Sequence, residues 1–214
     1  MDVRVAGALA MVLAVTACMP HLPRQAGAVA KPASPAAAAR SFYFDGVLDR
    51  GLRDESIKVA NGLACMVQSA PNLPAMQRFV PEDPTLGHIF RQEFAQAGYR
   101  GVAVDGDAAS TAADYHVEAV LTRVAMNVCY PFTGNFGDGN GQASLTVEWR
   151  VFVRGQSAPA FKTVQQGYAE LGSTTLAPNR ILWRNAFAGA VRGLLSDDGF
   201  VAFLAAPPLV GARR

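Results

Sequence analysis

Ala143 to Arg154, ASLTVEWRVFVR, is the stretch whose reading decides the fold. Leu145, Val147, Trp149, Val151 and Val153 interleave with Thr146, Glu148, Arg150 and Arg154. A period of two sends successive side chains to opposite faces, so this is a strand with one apolar and one wet face. Such strands belong to sheets that are covered on one side only. The flanking sequence supplies partners. Thr133 to Gln142 (TGNFGDGNGQ) reads as a glycine-rich turn, and before it Tyr115 to Phe132 reads as one long strand. The alternation of that strand changes phase near Thr122 to Val124, which predicts a bulge. On the other side, a turn around Ser157 to Pro159 leads into a third strand, Phe161 to Leu171.

Further out, the period changes from 2 to 3.6. From Asn179, the residues Trp183, Ala186, Phe187, Ala190, Val191 and Leu194 fall at i, i+3, i+4, i+7, i+8 and i+11, a wide apolar stripe on one helix. Asp197-Asp198-Gly199 stops it, and Phe200 to Leu204 adds one apolar helical turn or short strand. Asp83-Pro84 reads as an N-cap with proline at the first helical position. Leu86, Ile89, Phe90, Phe94 and Ala97 make the stripe, Gly98 the C-cap, and Tyr99 to Val104 a returning strand. Ile57, Ala60, Ala64 and Val67 predict a helix from Asp54 to Gln68, with Gly62 inside it costing about 1 kcal/mol. Met76 to Val80 reads as a short strand, and Ser41 to Asp49 as a strand or extended arm. The order predicts an α+β fold over residues 41–206: a two-layer sandwich with a mostly antiparallel sheet and the helices packed on one face.

The first 40 residues are of another kind. MDVRVAGALAMVLAVTAC carries Arg4, then an apolar core from Val5 to Val15, then Val15-Thr16-Ala17-Cys18. This is the layout of a secretory signal peptide, residues 1–17. The core is about 11 residues, short of the roughly 20 that cross a bilayer. Val15 to Cys18 resembles a bacterial lipobox, so Cys18 is the expected lipid attachment site, carrying palmitate and other acyl chains that together hold a protein on a membrane far more firmly than one. The alternative is an ordinary cleaved signal with a chance cysteine, or a short anchor. Met19 to Arg40 is rich in Ala and Pro and reads as a tether, with an extended reach on the order of 70 Å. Residues 207–214 read as a disordered tail.

The formal net charge of +2 is not gathered into a basic stripe, so nucleic acid is not an expected partner. With Cys18 given to lipid, Cys65 and Cys129 remain as an even pair in an oxidising compartment and are the candidate disulfide. The alternative is two buried thiols. No catalytic constellation stands out. His21, His88 and His116 are far apart and no metal-ligand spacing is present, so no metal or cofactor is implied. His116, Ser110 and Asp114 lie near one another in sequence without the spacing of a hydrolase triad. Glu118 and Glu148 read as solvent-face partners of Arg123 and Arg150. Around the glycine-rich turn, Tyr130, Phe132 and Phe136 are the candidate partner contacts; the plainer alternative is that they cover the end of the sheet.

The lipobox, the segment Asp-Tyr-x-Val-Glu-Ala from Asp114 to Ala119, and the final amphipathic helix together resemble small bacterial envelope lipoproteins. The nearest are auxiliary lipoproteins of ABC-type transport and of conjugation or secretion systems. Asn127-Val128-Cys129, followed by Gly141 to Trp149, is also similar to a module found upstream of exported trypsin-like protease domains; here no protease follows. The resemblance spans Ile57 to Leu204 and transfers no catalytic residue. The anchor, the tether and the lack of a catalytic constellation lead to the expectation of a non-enzymatic, lipid-anchored periplasmic protein that assists an envelope complex. Met19, where no aspartate follows the cysteine, resembles the enterobacterial sorting pattern for the outer membrane. A carrier of a lipid or other apolar ligand between sheet and helices is the alternative, and an unrecognised hydrolase the third.

Overall fold

The computed structural model describes residues 22–23, 27–49, 52, 54–61, 66–69, 83–104, 112–130 and 138–206. In chain order the elements are α1 (Pro35–Ala38), β1 (Ser41–Leu48), β2 (Asp54–Asn61), β3 (Met66–Ser69), α2 (Thr85–Gln96), β4 (Gly101–Val104), β5 (Tyr115–Tyr130), β6 (Asp138–Val153), β7 (Phe161–Leu176), α3 (Pro178–Ser196) and α4 (Asp198–Ala205). The signal segment with Cys18, Cys65, Met76 to Val80, Phe132, Phe136 and the tail 207–214 lie outside the described residues.

β5 is the spine of one seven-stranded sheet. On one side β6 and then β7 run antiparallel to it. On the other side two strands lie end to end along it, both parallel: β1 pairs with Tyr115 to Val120, and β2 with Arg123 to Tyr130. β4 extends β1 in parallel, and β3 extends β2 antiparallel. The predicted bulge is present. Leu121 pairs with Val147 and Arg123 with Thr146, leaving Thr122 as the extra residue, whose Oγ1 donates to the Thr146 carbonyl at 3.1 Å. It falls where β1 hands over to β2.

The sheet is therefore mixed, with three parallel and three antiparallel pairings, and not mostly antiparallel. Alternation along a strand reports which face is buried, not which way its neighbour runs. The helix expected over Asp54 to Gln68 is also corrected: its described residues form β2 and β3. Eight consecutive residues of β2 pair with β5, and that ladder outweighs a weak 3.6-residue pattern containing β-branched Ile57, Val59 and Val67. The glycine-rich turn is shorter than its composition suggests, because β6 already begins at Asp138. Gly139 and Gly141 permit this approach: a Cβ would lie 2.5 Å from the Cys129 carbonyl oxygen at the first and 2.2 Å from that of Asn127 at the second. β7 continues past Leu171 to Leu176.

The predicted stripes of α2 and α3 meet the apolar face of the sheet. Phe42 lies edge-on to Phe94 at 5.2 Å, and Phe44 stacks on Phe90 at 4.3 Å. Trp149 sits between Phe90 and Phe187 at 6.0 and 5.9 Å. All six rings are buried. α3 crosses β7 backbone to backbone: a Cβ on Gly167 would come within 1.8 Å of the Ala186 carbonyl oxygen. The expected Asp83 cap is corrected, since Pro84 takes the N-cap position and the helix starts at Thr85. Two ion pairs fasten Asp83 and α2 to α3, Arg184 to Asp83 at 3.1 Å and Arg192 to Glu93 at 2.7 Å.

The stretch read as a tether is folded onto the domain over residues 27–40. Lys31 N–H donates to the Leu195 carbonyl at 3.2 Å, Ala33 N–H to that of Ala97 at 2.7 Å, and the Lys31 ammonium pairs with Asp198. Ser34 caps α1, accepting from Ala37 N–H at 3.2 Å, and Ala37 is buried. Small side chains bury little area each, but they let the backbone come close enough to the helix ends to satisfy carbonyls that a helix leaves unpaired.

Candidate functional site

A groove of about 580 Å³ opens between α2 and the β1–β4 edge of the sheet. Phe42 and Val102 give it an apolar floor, with Ala103, Ala112 and Ala113 beside them, while Arg91 and Arg100 bring two guanidinium groups. Its base is held by an exchange between Ser41 and Asp114. The Asp114 carboxylate accepts from Ser41 N–H at 3.0 Å and from its hydroxyl at 2.9 Å, and Asp114 N–H donates back to the same hydroxyl at 2.9 Å. Arg154 completes the lock, at 3.0 Å from the Asp114 carboxylate and 2.9 Å from the Ala113 carbonyl. Burial pushes the Asp114 carboxyl up. The Ser41 hydrogen bonds, with the charges of Arg154 and Arg40, outweigh that and hold it below its ordinary value.

This arrangement separates the residues nearest to a triad. The Asp114 carboxylate is committed to Ser41 and Arg154, while His116 faces Asp45, with Nδ1 3.6 Å from Oδ2, and lies against the Tyr43 ring at 5.4 Å. Ser110 is outside the described residues. Glu148 pairs with Arg150 at 2.6 Å, and Glu118 stands opposite Arg150 in register. Among the described residues no group of three His, Cys, Asp or Glu side chains is placed to hold a metal, and no helix is long and apolar enough to cross a membrane.

Of the candidate contacts, Tyr130 is a core residue with only 7% exposure, its hydroxyl pKa raised by desolvation. Cys129 is buried, standing opposite Ala60 of β2 and Asn140 of β6. Met66, the chain neighbour of Cys65, pairs with Asn61, which pairs with Tyr130.

Sequence reading missed the exposed hydrophobic side chains of β7. Among the described residues three large hydrophobic side chains are exposed, Val29, Val164 and Leu176, and the last two are on this strand. Among the described residues β7 pairs with β6 alone, which makes it an edge strand of the described sheet. The signal was there to be found: Val164 breaks a wet face otherwise carrying Lys162 and Gln166.

No family model and no curated protein matches this chain. Among solved structures, a Xanthomonas campestris protein of the DUF330 family is 13% identical, covering 82% of this chain and 90% of its own, with a TM-score of 0.40. A Caulobacter crescentus protein provisionally assigned as a lipoprotein is 14% identical, covering 57% of this chain and 85% of its own, with a TM-score of 0.32. The PelC dodecamer from Paraburkholderia phytofirmans is 14% identical, covering 78% of this chain and 93% of its own, with a TM-score of 0.33. No functional reading rests on likenesses this distant.

Proposed function

We propose that this chain is a non-enzymatic accessory protein, fixed by lipid on Cys18 to the periplasmic face of the outer membrane, that assists a transport- or secretion-type envelope complex. The observation that supports it is the exposure of Val164 and Leu176 on β7, the last strand of the described sheet. An edge of this kind recruits an extended segment of a partner, whose main chain completes the ladder while alternate side chains read the apolar positions. Long exposed edges are otherwise blunted by charge, proline or cover, because they invite indiscriminate pairing. A photoreactive residue at Val164 is expected to capture one discrete envelope protein from intact cells, and the same residue at Glu118 none. Equal, diffuse labelling from both positions would sink the proposal.

The groove favours a second reading, a carrier. Its volume lies in the range of small-molecule sites, and an apolar floor beside two arginines suits an acyl chain with an anionic head. Native mass spectrometry of the protein with laurate is expected to show a one-to-one complex that is lost in Val102→Trp. Laurate bound equally by both forms would remove the groove from consideration.

A further inference from the structure

We propose that Leu22 and residues 27–40 act as a docked strap that holds the domain against the lipid surface, with the end of the sheet where Asn127 pairs with Gln142 nearest the membrane. The inference rests on the lipidation of Cys18 proposed above. Its own observation is that the chain meets the domain almost at once: Leu22 N–H donates to the Gln142 side-chain carbonyl at 2.9 Å. Leu22 stands only four positions after Cys18, a reach of at most about 14 Å. A free tether ending at Arg40 would instead let the domain drift on the order of 70 Å away.

Beyond Leu22 the strap is fastened again at Lys31, at Ala33 and through the buried Ala37, so that its second half follows the helix ends before entering β1. Gln142 stands opposite Asn127 and Glu170 in register, at the end of the sheet where β5 finishes and β6 begins. The turn at Gly155 lies 13 residues further along the β6 direction, roughly 40 Å away at the rise of a strand. One pole is thereby kept beside the acyl chains, and the other is left facing the aqueous space and any partner there.

The partner of this pole is the lipid headgroup layer, and the test measures its distance. Full-length lipidated protein is placed on phosphatidylethanolamine–phosphatidylglycerol vesicles carrying a headgroup energy acceptor. A fluorescent amino acid stands at Asn140 in one sample and at Gly155 in the other. Quenching at Asn140 is expected to exceed that at Gly155 at least twofold, and Leu22→Pro, which deletes the donor N–H, is expected to erase most of the difference. Equal quenching at the two positions, or a difference unchanged in Leu22→Pro, overturns the strap. Palmitate incorporation is scored on the same preparation: if it is absent, the anchoring reading fails together with the strap, and if it is present with equal quenching, the strap alone fails.

Discussion

Asp197 shows how much one side chain can organise. Its carboxylate caps α4 by accepting from Phe200 N–H at 3.0 Å, and its second oxygen accepts from the Thr163 hydroxyl and the Gln165 amide, both at 2.8 Å. Asp197→Ala removes a cap worth about 1 kcal/mol and two further hydrogen bonds of about 1 kcal/mol each at most. It should lower stability by roughly 2 kcal/mol in urea unfolding; a change within error would show that solvent replaces these bonds without loss. Asp83 and Asp114 carry the acid sensitivity. Burial raises the Asp83 carboxyl, but the hydrogen bonds from Arg184 and Thr85 and the Arg184 charge bring it below its ordinary value, as Ser41, Arg154 and Arg40 do for Asp114. A carboxylate with a lowered folded pKa stabilises fully above its unfolded value of about 3.9, and that contribution is lost as pH falls through the folded value. The stability gap between wild type and Asp83→Asn/Asp114→Asn is therefore expected to close as pH drops below about 4. A gap of constant size across that range would place the acid sensitivity in other groups.

At the scale of elements, the crossing of α3 over β7 is the least forgiving contact. Gly167→Ala would drive its Cβ into the Ala186 carbonyl and the Ala190 nitrogen, at 1.8 and 2.6 Å, and both are helix backbone. It should unfold the domain or cost more than about 3 kcal/mol, whereas Gly172→Ala on the same strand meets nothing within 4 Å and should be neutral or gain up to about 1 kcal/mol. Equal stability of the two variants would mean that the helix is free to lift. β6 and α3 were legible in the residues because each displays a full period on one buried face, Leu145 to Val151 for the strand and Trp183 to Leu194 for the helix. β2 was not, because what makes it a strand is the ladder offered by the far half of β5, more than 60 residues later in the chain. The same distance hid the groove, whose lining joins β1, α2 and β4. The strap was missed for a different reason. Alanine and proline are read as poor core formers, but here the backbone makes the contacts and the side chains need only be small.

At the scale of the molecule, Cys65 and Cys129 should be joined. Closing a loop of that length is worth about 4 kcal/mol in the chain-entropy account. Alkylation without reductant should leave the mature protein unmodified at both positions, and two alkylated thiols would refute the bridge. The arrangement of β1 and β2 along a shared β5 bears on how such a chain travels. Neither early strand can be completed until Tyr115 and the residues after it are available, and parallel pairing across so long a separation closes slowly. A chain that emerges from its N-terminus thus has more than half its length delivered before the spine arrives. The topology itself delays compaction until the second half of the chain is available, and leaves the early strands without a ladder until then.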